Sequence, residues 1–238
     1  MMKQFAYTVA LPAPALFGQF NNLDDINIVL TALKKIGFDG VMETALGADL
    51  VAEAEARELL EKGFLTSSCC PAFVKYVQHK FPNLKDKISH TPSPMAALGK
   101  AIKEKNPRSK VIFIGPCTAK KAERQRPEVE PYIDCVMTFE ELQALIDSMD
   151  IDIEHLEESI LDEASGFGRE FAFSGGLSGA VAQALKEIAE LEGPDSDAAK
   201  FVLKAATCDG IENCKTTLIR ANKGLLPENF IEGMACEG

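Results

Sequence analysis

Short apolar runs alternate with amphipathic stretches along the whole chain. The amphipathic stretches carry apolar residues three or four positions apart, which is typical of helices that bury one face. The apolar runs between them are too short for helices and are typical of buried strands. We predict strands over 5–11, 40–43, 64–66, 111–114, 135–138, 171–173, 201–206 and 230–234. We predict helices over 23–36, 49–62, 72–80, 95–105, 139–148, 178–191 and 210–222.

Alternating strands and helices predict an α/β fold with mostly parallel sheets. The polar, Pro-containing segment 91–94 forms a soft boundary, so we expect two lobes, 1–92 and 93–238. Each lobe is predicted to be a small, mostly parallel sheet flanked by helices. We expect the functional cleft between the lobes, because sites in α/β proteins gather at the carboxyl ends of strands.

Charge and composition exclude several classes of function. The 25 Lys and Arg against 36 Asp and Glu give a net charge of −11, which disfavours binding to nucleic acid. No apolar run reaches the roughly 18 residues of a membrane span, so we expect no membrane insertion. The N-terminus lacks the pattern of a secretory signal, and we expect a cytoplasmic protein. In that compartment the odd number of cysteines, seven, favours buried thiols, nucleophiles or metal ligands over disulfides.

One cysteine segment follows the strand predicted at 64–66. It reads Thr66-Ser-Ser-Cys69-Cys70-Pro71, and proline is favoured at the first position of a helix. Both thiols are therefore expected at a helix N-terminus, where unpaired backbone N–H groups stabilise a thiolate. One of the two can ligate a metal while its neighbour stays a thiol. The alternative is a pair of buried packing thiols, but the turn and the proline favour the functional interpretation.

A second segment, Gly115-Pro116-Cys117-Thr118-Ala-Lys120, also places a cysteine between a strand and a helix. Lys120 can reach an anionic ligand at the same helix start. The alternative is a plain strand–turn–helix with solvated lysines.

A third segment, Glu232-Gly-Met234-Ala-Cys236, again follows a predicted strand. Alone it is a weak signal. Three such turns together favour thiolate ligands that converge on a soft metal centre, such as an iron–sulfur cluster, which usually takes four cysteines.

In this order, the three segments resemble the signature loops of the iron-only (FeFe) hydrogenases: Thr-Ser-Cys-Cys-Pro, Pro-Cys-Thr-x-Lys and Met-x-Cys-x-Gly-Gly-Cys. The resemblance extends to Ala13-Pro14 and Gly175-Gly176 and covers essentially the whole chain. It implies an oxidoreductase that reversibly reduces protons to dihydrogen with electrons from ferredoxin or an electron-transfer subunit. It also implies an H-cluster, a 4Fe–4S cubane linked to a diiron subsite with CO and CN ligands, which hydrogenase maturation proteins complete.

The resemblance also implies roles for single residues. Cys70, Cys117 and Cys236 match cubane ligands, and Cys69 matches the non-ligating thiol that passes protons to the diiron bridging amine. Lys120 matches the lysine that donates a hydrogen bond to an iron-bound cyanide. The remaining matches lie near the diiron subsite: Met234, Ser93, Ala13 and Pro14.

Three further residues match the family's proton path. Glu55 and Glu58 are three positions apart on one face of a predicted helix, and Ser89 matches the hydroxyl of the relay. Carboxyl, hydroxyl and thiol groups can pass a proton along when one carboxyl stays neutral. The alternative is a solvated helix face, and only the resemblance favours the relay.

Some positions depart from the family's pattern and indicate a divergent subgroup. They are Ala15, Ala72-Phe73, Met95 and Gly115. The family's last loop also continues to a second cysteine, the bridge to the diiron subsite, which has no counterpart in these 238 residues. We therefore expect a C-terminally truncated, inactive apo fragment whose full-length parent holds the cluster.

Two interpretations from other classes stay open. One is a non-catalytic hydrogen sensor, against which the presence of Cys69 argues. The other is a hydrogenase-like iron–sulfur assembly factor, which has no cyanide for Lys120 to hold.

The other cysteines and the histidines receive structural interpretations. Cys208 and Cys214 are expected to pack a helix, and Cys135 to lie in the core. The three histidines show no metal-ligand spacing and are interpreted as surface or capping residues: His79, His90 and His155.

Overall fold

The computed structural model describes residues 7–16, 26–157, 164–171 and 173–237. The chain divides into two compact units, each made of two stretches. Unit 1 comprises Met1–Gly47 and Pro94–Ser165, and unit 2 comprises Ala48–Ser93 and Gly166–Gly238. The boundary predicted at 92–93 lies within one residue of one crossing between the units. The predicted contiguous lobes, 1–92 and 93–238, nevertheless differ from these units, because parallel strand pairing joins segments distant in sequence.

The described residues form seven strands and ten α-helices. The strands are β1 (Thr8–Pro12), β2 (Gly40–Val41), β3 (Leu65–Thr66), β4 (Lys110–Ile114), β5 (Cys135–Met137), β6 (Ala205–Asp209) and β7 (Phe230–Met234). The helices are α1 (Ile26–Ile36), α2 (Ala45–Lys62), α3 (Pro71–Lys80), α4 (Pro94–Lys105), α5 (Ala119–Arg124), α6 (Phe139–Ser148), α7 (Gly166–Glu170), α8 (Gly176–Glu192), α9 (Asp197–Lys200) and α10 (Ile211–Asn222). Short 3-10 helices span Pro14–Leu16, Pro82–Lys87 and Ile153–His155.

Unit 1 contains a four-stranded sheet in the order β2-β1-β4-β5, and every pairing is parallel. All five residues of β1 are buried, as expected of a central strand in a sheet covered on both faces. Strands β1 and β4 pair from Thr8↔Lys110 to Pro12↔Ile114, so both end at the same edge.

Unit 2 contains a three-stranded parallel sheet in the order β3-β7-β6. The neighbours Phe230 and Ile231 are both fully buried but belong to different hydrophobic clusters. Phe230 packs in the cluster with residues of α2 and α8, and Ile231 in the cluster with residues of α3 and α10. Successive strand residues point to opposite faces, so helices cover both faces of the sheet.

Most predicted elements are confirmed within a few residues of their predicted ends, and residues 5–6 and 23–25 lie outside the described residues. The strand predicted at 171–173 is wrong for the residues that are described. Phe171 follows α7 in a turn, and Phe173 is 67% exposed. The turn closes through hydrogen bonds from Phe173 N to Glu170 O and from Gly176 N to Phe173 O. An apolar run before a Gly-Gly pair therefore forms a turn here.

The strand predicted at 201–206 begins later, at Ala205. Asn229 explains the shift. Its side chain accepts a hydrogen bond from Lys204 N and donates one to Val202 O, so part of this backbone is paired outside the sheet ladder. None of the described helices has the length and apolar composition needed to cross a membrane.

Candidate functional site

Cys70 caps the N-terminus of α3. Its backbone is extended, and its Sγ accepts a hydrogen bond from Phe73 N at 3.5 Å. Pro71 follows at the first helical position, where its missing N–H costs no hydrogen bond. Cys69 and Cys70 are both half-buried, and neither forms a disulfide. The predicted position at a helix N-terminus is therefore observed.

Ser67 ties the double-cysteine loop to β7. Ser67 N donates to Ile231 O at 2.8 Å, and Ser67 Oγ accepts from Gly233 N at 3.1 Å. These bonds continue the pairing of β3 with β7 beyond the ends of the ladder. Because the two strands are parallel, the loop with Cys70 and the loop with Cys236 leave the same edge of the sheet.

Gly233 lets β7 pass close to α3. A Cβ atom at this position would lie 2.3–2.5 Å from three atoms of the Phe73 ring, which is fully buried. No side chain fits there unless the ring moves. Half-buried Met234 and exposed Cys236 follow, and Cys236 O accepts a hydrogen bond from Gly210 N.

The corresponding edge of unit 1 carries Ala13, Pro14 and Cys117. Ala13 and Pro14 follow β1, Cys117 follows β4, and Ala13 N donates to Ile114 O at 2.7 Å. Gly115 lies between these segments, where a Cβ would lie 2.6 Å from the Phe113 ring and 3.2 Å from Ala13 Cβ. Parallel pairing of β1 with β4 thus brings these predicted residues to one edge of the sheet.

Lys120 forms a buried ion pair with Glu123, which the sequence analysis did not single out. Lys120 Nζ lies 2.6 Å from Glu123 Oε2, and the two side chains are 12% and 4% exposed. The spacing of three residues places both side chains on one face of α5. That spacing was the available signal for Glu123.

Glu55 lies in the interior of unit 2. Its side chain is fully buried, Ser68 N donates to its Oε1 at 3.4 Å, and Ser68 Oγ lies 3.4 Å from the same oxygen. Burial raises the pKa of Glu55 from an ordinary 4.5 to about 7, although hydrogen bonds from Ser89 and Ser68 offset part of this effect. Glu55 can therefore carry a proton near neutral pH.

Glu58, one turn further along α2, is held in the ionised form. Its Oε2 accepts from Ser89 Oγ at 2.9 Å, and its Oε1 lies 2.7 Å from Lys62 Nζ. Burial alone would raise the pKa of Glu58, but hydrogen bonds from Lys62, Ser89 and His90 together lower it. Glu55, Ser89 and Glu58, predicted from the resemblance, thus lie together in unit 2, where Ser89 donates to Glu58 and lies beside the Glu55 carboxyl, whose Oε2 has no hydrogen-bond partner among the described residues.

Ser68 is a further polar residue beside this group that the sequence analysis missed. Its hydroxyl donates to Thr91 O at 2.5 Å, which leaves its lone pairs available to accept a proton from neutral Glu55. Ser68 precedes Cys69 directly in the chain. Its place in the Thr-Ser-Ser-Cys-Cys motif was the signal that could have found it. Ser93, four residues after Ser89, is also buried.

The predictions for the other three cysteines have different outcomes. Cys208 and Cys214 are buried, and their thiols donate to backbone carbonyls of Glu232, Cys208 and Met234, so the prediction of packing thiols is confirmed. The prediction that Cys135 lies in the core is wrong, because Cys135 is exposed. It belongs to edge strand β5, where the neighbouring Val136 is the residue turned inward.

A buried carboxylate occupies the glycine-rich turn before α8. Glu232 accepts hydrogen bonds from Gly175 N, Ser178 N and Ser178 Oγ. Gly175 takes a positive φ of 83°, which suits glycine. The turn therefore binds a protein carboxylate from β7 and fixes this strand two residues before Met234.

The donor chemistry suits an iron–sulfur cluster better than a single metal ion. Within the described ranges, no three His, Cys, Asp or Glu side chains are grouped as ligands of one ion. An iron–sulfur cubane needs no such group, because each thiolate binds a different iron atom. In unit 2 the thiol of Cys70 is half-buried and that of Cys236 exposed, and in unit 1 the thiol of Cys117 is half-buried.

Comparisons with known proteins give a consistent result. The family model described as "Iron only hydrogenase large subunit, C-terminal domain" matches residues 6–238. Iron hydrogenase 1 of Clostridium pasteurianum is 31% identical over 262 aligned residues, which cover 94% of this chain and 46% of that protein. This chain thus spans about half the length of that relative.

Two other similarities concern the fold and an alternative function. A solved structure of an [FeFe]-hydrogenase from Chlamydomonas reinhardtii matches with a TM-score of 0.77 and 22% identity, covering 97% of this chain and 77% of that one. The cytosolic Fe-S cluster assembly factor NAR1 of Meyerozyma guilliermondii is 30% identical over 57% of this chain and 29% of that protein.

Proposed function

Because the chain belongs to the family of the iron-only hydrogenase large subunit, C-terminal domain, we propose that it is the H-cluster domain of an FeFe-hydrogenase. The reaction is the reversible reduction of protons to dihydrogen. Ferredoxin or an electron-transfer subunit supplies the electrons, and hydrogenase maturation proteins complete the cofactor. We propose a cytoplasmic location, where thiols stay reduced and can serve as cluster ligands.

Three thiols and five further residues would hold the H-cluster. Cys70, Cys117 and Cys236 would ligate the cubane, and Lys120 would donate to a cyanide. Met234, Ser93, Ala13 and Pro14 would lie beside the diiron subsite. When bound, the cluster supplies iron at which electrons combine with protons. The matched loops offer three thiols where a cubane takes four, so the intact cluster needs a fourth ligand.

The observation that carries the proposal is a pair of carboxyls one turn apart on α2, of which Glu55 is fully buried and Glu58 lies nearer the surface. Glu55, with its pKa near 7, can hold a proton in the interior, while Glu58 stays ready to accept one near the surface. Ser89 donates a hydrogen bond to Glu58, and it also lowers the pKa of the neighbouring Glu55 carboxyl. This arrangement supports proton transfer from Glu58 through Ser89 to Glu55, and from there by way of Ser68 to the thiol of Cys69.

The second candidate is an iron–sulfur assembly factor, which the similarity to NAR1 favours. An assembly factor needs cluster-binding thiols but no buried path for protons. The Glu55–Ser89–Glu58 group therefore favours the hydrogenase over the assembly factor, and over a hydrogen sensor that does not turn over.

Hydrogen evolution by the complete, matured protein tests the proposal. We expect dihydrogen from the wild type with a reduced electron donor. Glu55→Gln, which cannot pass on a proton, should lower the rate by at least about a hundredfold. Glu61→Gln is the matched control, because Glu61 is exposed on the same helix, and it should keep the wild-type rate. A fully loaded wild-type protein that evolves no hydrogen would contradict the proposal.

A further inference from the structure

His90 contacts Glu58 at the outer end of the group formed by Glu55, Ser89 and Glu58. His90 Nδ1 lies 2.7 Å from Glu58 Oε1, and the His90 backbone N–H donates to both carboxylate oxygens, at 3.2 and 3.0 Å. The His90 side chain is 78% exposed, whereas that of Glu58 is 13% exposed. The backbone thus fixes His90 against a largely buried carboxylate, while most of the ring stays in water.

The same ring nitrogen has a second partner. Lys62 Nζ lies 3.0 Å from His90 Nδ1. When Nδ1 carries hydrogen, it can donate to the Glu58 carboxylate, and when it is bare, it can accept from the Lys62 ammonium. Both forms of the ring therefore have a hydrogen-bond partner in the same side-chain orientation. A proton can leave and return without rotation of the side chain.

Of the two nitrogen-bearing side chains that contact Glu58 within the described part of the chain, Lys62 and His90, only His90 suits proton uptake. An ammonium group has no lone pair with which to accept a proton from water. An imidazole has one on whichever ring nitrogen carries no hydrogen. Lys62 can instead orient the carboxylate and the bare form of the ring.

We propose that His90 is a proton-transfer residue that exchanges protons between solvent and Glu58. This rests on the proposed function, because it extends the same relay to the surface. In the inward step, an acid in solution gives a proton to Nε2, the Nδ1–H bond breaks, and that proton binds Glu58 Oε1. Imidazolium and carboxylate become imidazole and carboxylic acid, and no electrons move. Exchange with water at the exposed ring then restores hydrogen on Nδ1.

Hydrogen evolution by the complete, matured protein gives the first test. His90→Asn keeps a hydrogen-bond donor near the position of Nδ1 but cannot carry a proton, so it separates proton transfer from structure. We expect His90→Asn and His90→Ala to lower the rate by at least about tenfold. Free imidazole in the buffer should restore most of the rate of His90→Ala. A wild-type rate in His90→Asn, or no recovery with imidazole, would overturn the proposal.

His155→Ala is the matched control. His155 is 80% exposed, and its Nδ1 lies 2.8 Å from the carboxylate of Asp152. It therefore repeats the exposed histidine–carboxylate pair within unit 1, with no role in the proposed relay. We expect the wild-type rate in this variant, and an equal loss in His155→Ala and His90→Ala would count against the proposal.

The second test needs no cluster. In the cluster-free protein with ¹⁵N-labelled histidine, Glu58→Gln should shift the Nδ1 resonance of His90 and leave those of His79 and His155 unchanged. An unmoved His90 resonance would overturn the proposal whatever the activity. If the loaded wild type evolves no hydrogen, the proposed function fails, and this resonance alone decides whether His90 and Glu58 share a proton.

Discussion

The Lys120 ammonium lies 2.6 Å from Glu123 Oε2, and both side chains are almost completely buried. The pair lies on the short helix α5, which begins two residues after Cys117. In the proposed function Lys120 also donates to a cyanide, so Glu123 would fix the direction in which the lysine points. A lysine held in place in advance loses little conformational entropy when it binds its ligand.

Removal of the charge on Glu123 should destabilise unit 1. Glu123→Gln keeps the shape of the side chain but leaves a buried ammonium without its counter-charge, which should cost about 3 kcal/mol in the free energy of unfolding. Urea denaturation measures this loss. Glu104→Gln is the control, because Glu104 pairs with Lys100 on the exposed surface of α4 and should change stability by less than about 1 kcal/mol. Equal effects of the two variants would refute the buried pair.

Glu55 should make the stability of unit 2 depend on pH. The folded state raises the pKa of Glu55 from 4.5 to about 7, so the folded state binds more protons than the unfolded state in this window. Its contribution is complete below about pH 4.5 and is lost as the pH rises to about 7, a loss of about 3 kcal/mol. Glu55→Gln should flatten this fall, as urea denaturation across the window would measure. Glu61→Gln should leave it unchanged, and a Glu55→Gln curve that falls like the wild type would contradict the burial effect.

Gly233 should tolerate no larger residue while Phe73 stays in place. Gly233→Ala forces a Cβ into the Phe73 ring and should destabilise unit 2 by about 2 kcal/mol. The smaller side chain of Phe73→Leu should recover part of this loss in the double variant. In contrast, Gly179→Ala on α8 meets nothing within 4 Å and should stabilise the protein slightly, as alanine does in helices. Thermal unfolding of Gly233→Ala, Phe73→Leu, their double variant and Gly179→Ala measures these changes in stability.

The two neighbouring cysteines should differ in what their loss removes. In the complete, matured protein, Cys69→Ala should keep the iron content and lower hydrogen evolution by at least about a hundredfold. Cys70→Ala should lose iron, because in the proposed function Cys70 is a cubane ligand. Iron analysis with a hydrogen assay separates the two roles. The same loss of iron in both variants would mean that the roles within the pair are reversed or wrong.

Local pattern in the sequence was sufficient for most elements and for the cysteine turns. The apolar runs of β4 and β7 and the proline that begins α3 are local signals, and the structure has these elements where they are predicted. The two discontinuous units were not predictable in this way, because the pairing of β1 with β4 joins residues about a hundred positions apart. Periodicity within a segment carries no information about such partners.

The polar contacts were likewise predictable where the residues are close in sequence, and not where they join distant segments. Glu55 and Glu58 share a helix face, which their spacing predicts, and the family resemblance added Ser89. Ser68 and His90 reach α2 from loops, through contacts that span 13 and 32 residues of sequence. His90 was interpreted as a surface or capping residue, and it is indeed exposed. Only the three-dimensional structure reveals its contact with Glu58.

The most direct test of the central claim is the iron, sulfide and infrared analysis of the complete, matured protein with Cys117→Ala or Cys135→Ala. Both cysteines lie in unit 1, but only Cys117 matches a cluster ligand. The account predicts that Cys117→Ala loses cubane iron together with the bands of bound cyanide and carbonyl, whereas Cys135→Ala keeps wild-type iron, sulfide and bands. Wild-type iron and bands in Cys117→Ala would contradict the assignment of this chain as an H-cluster domain.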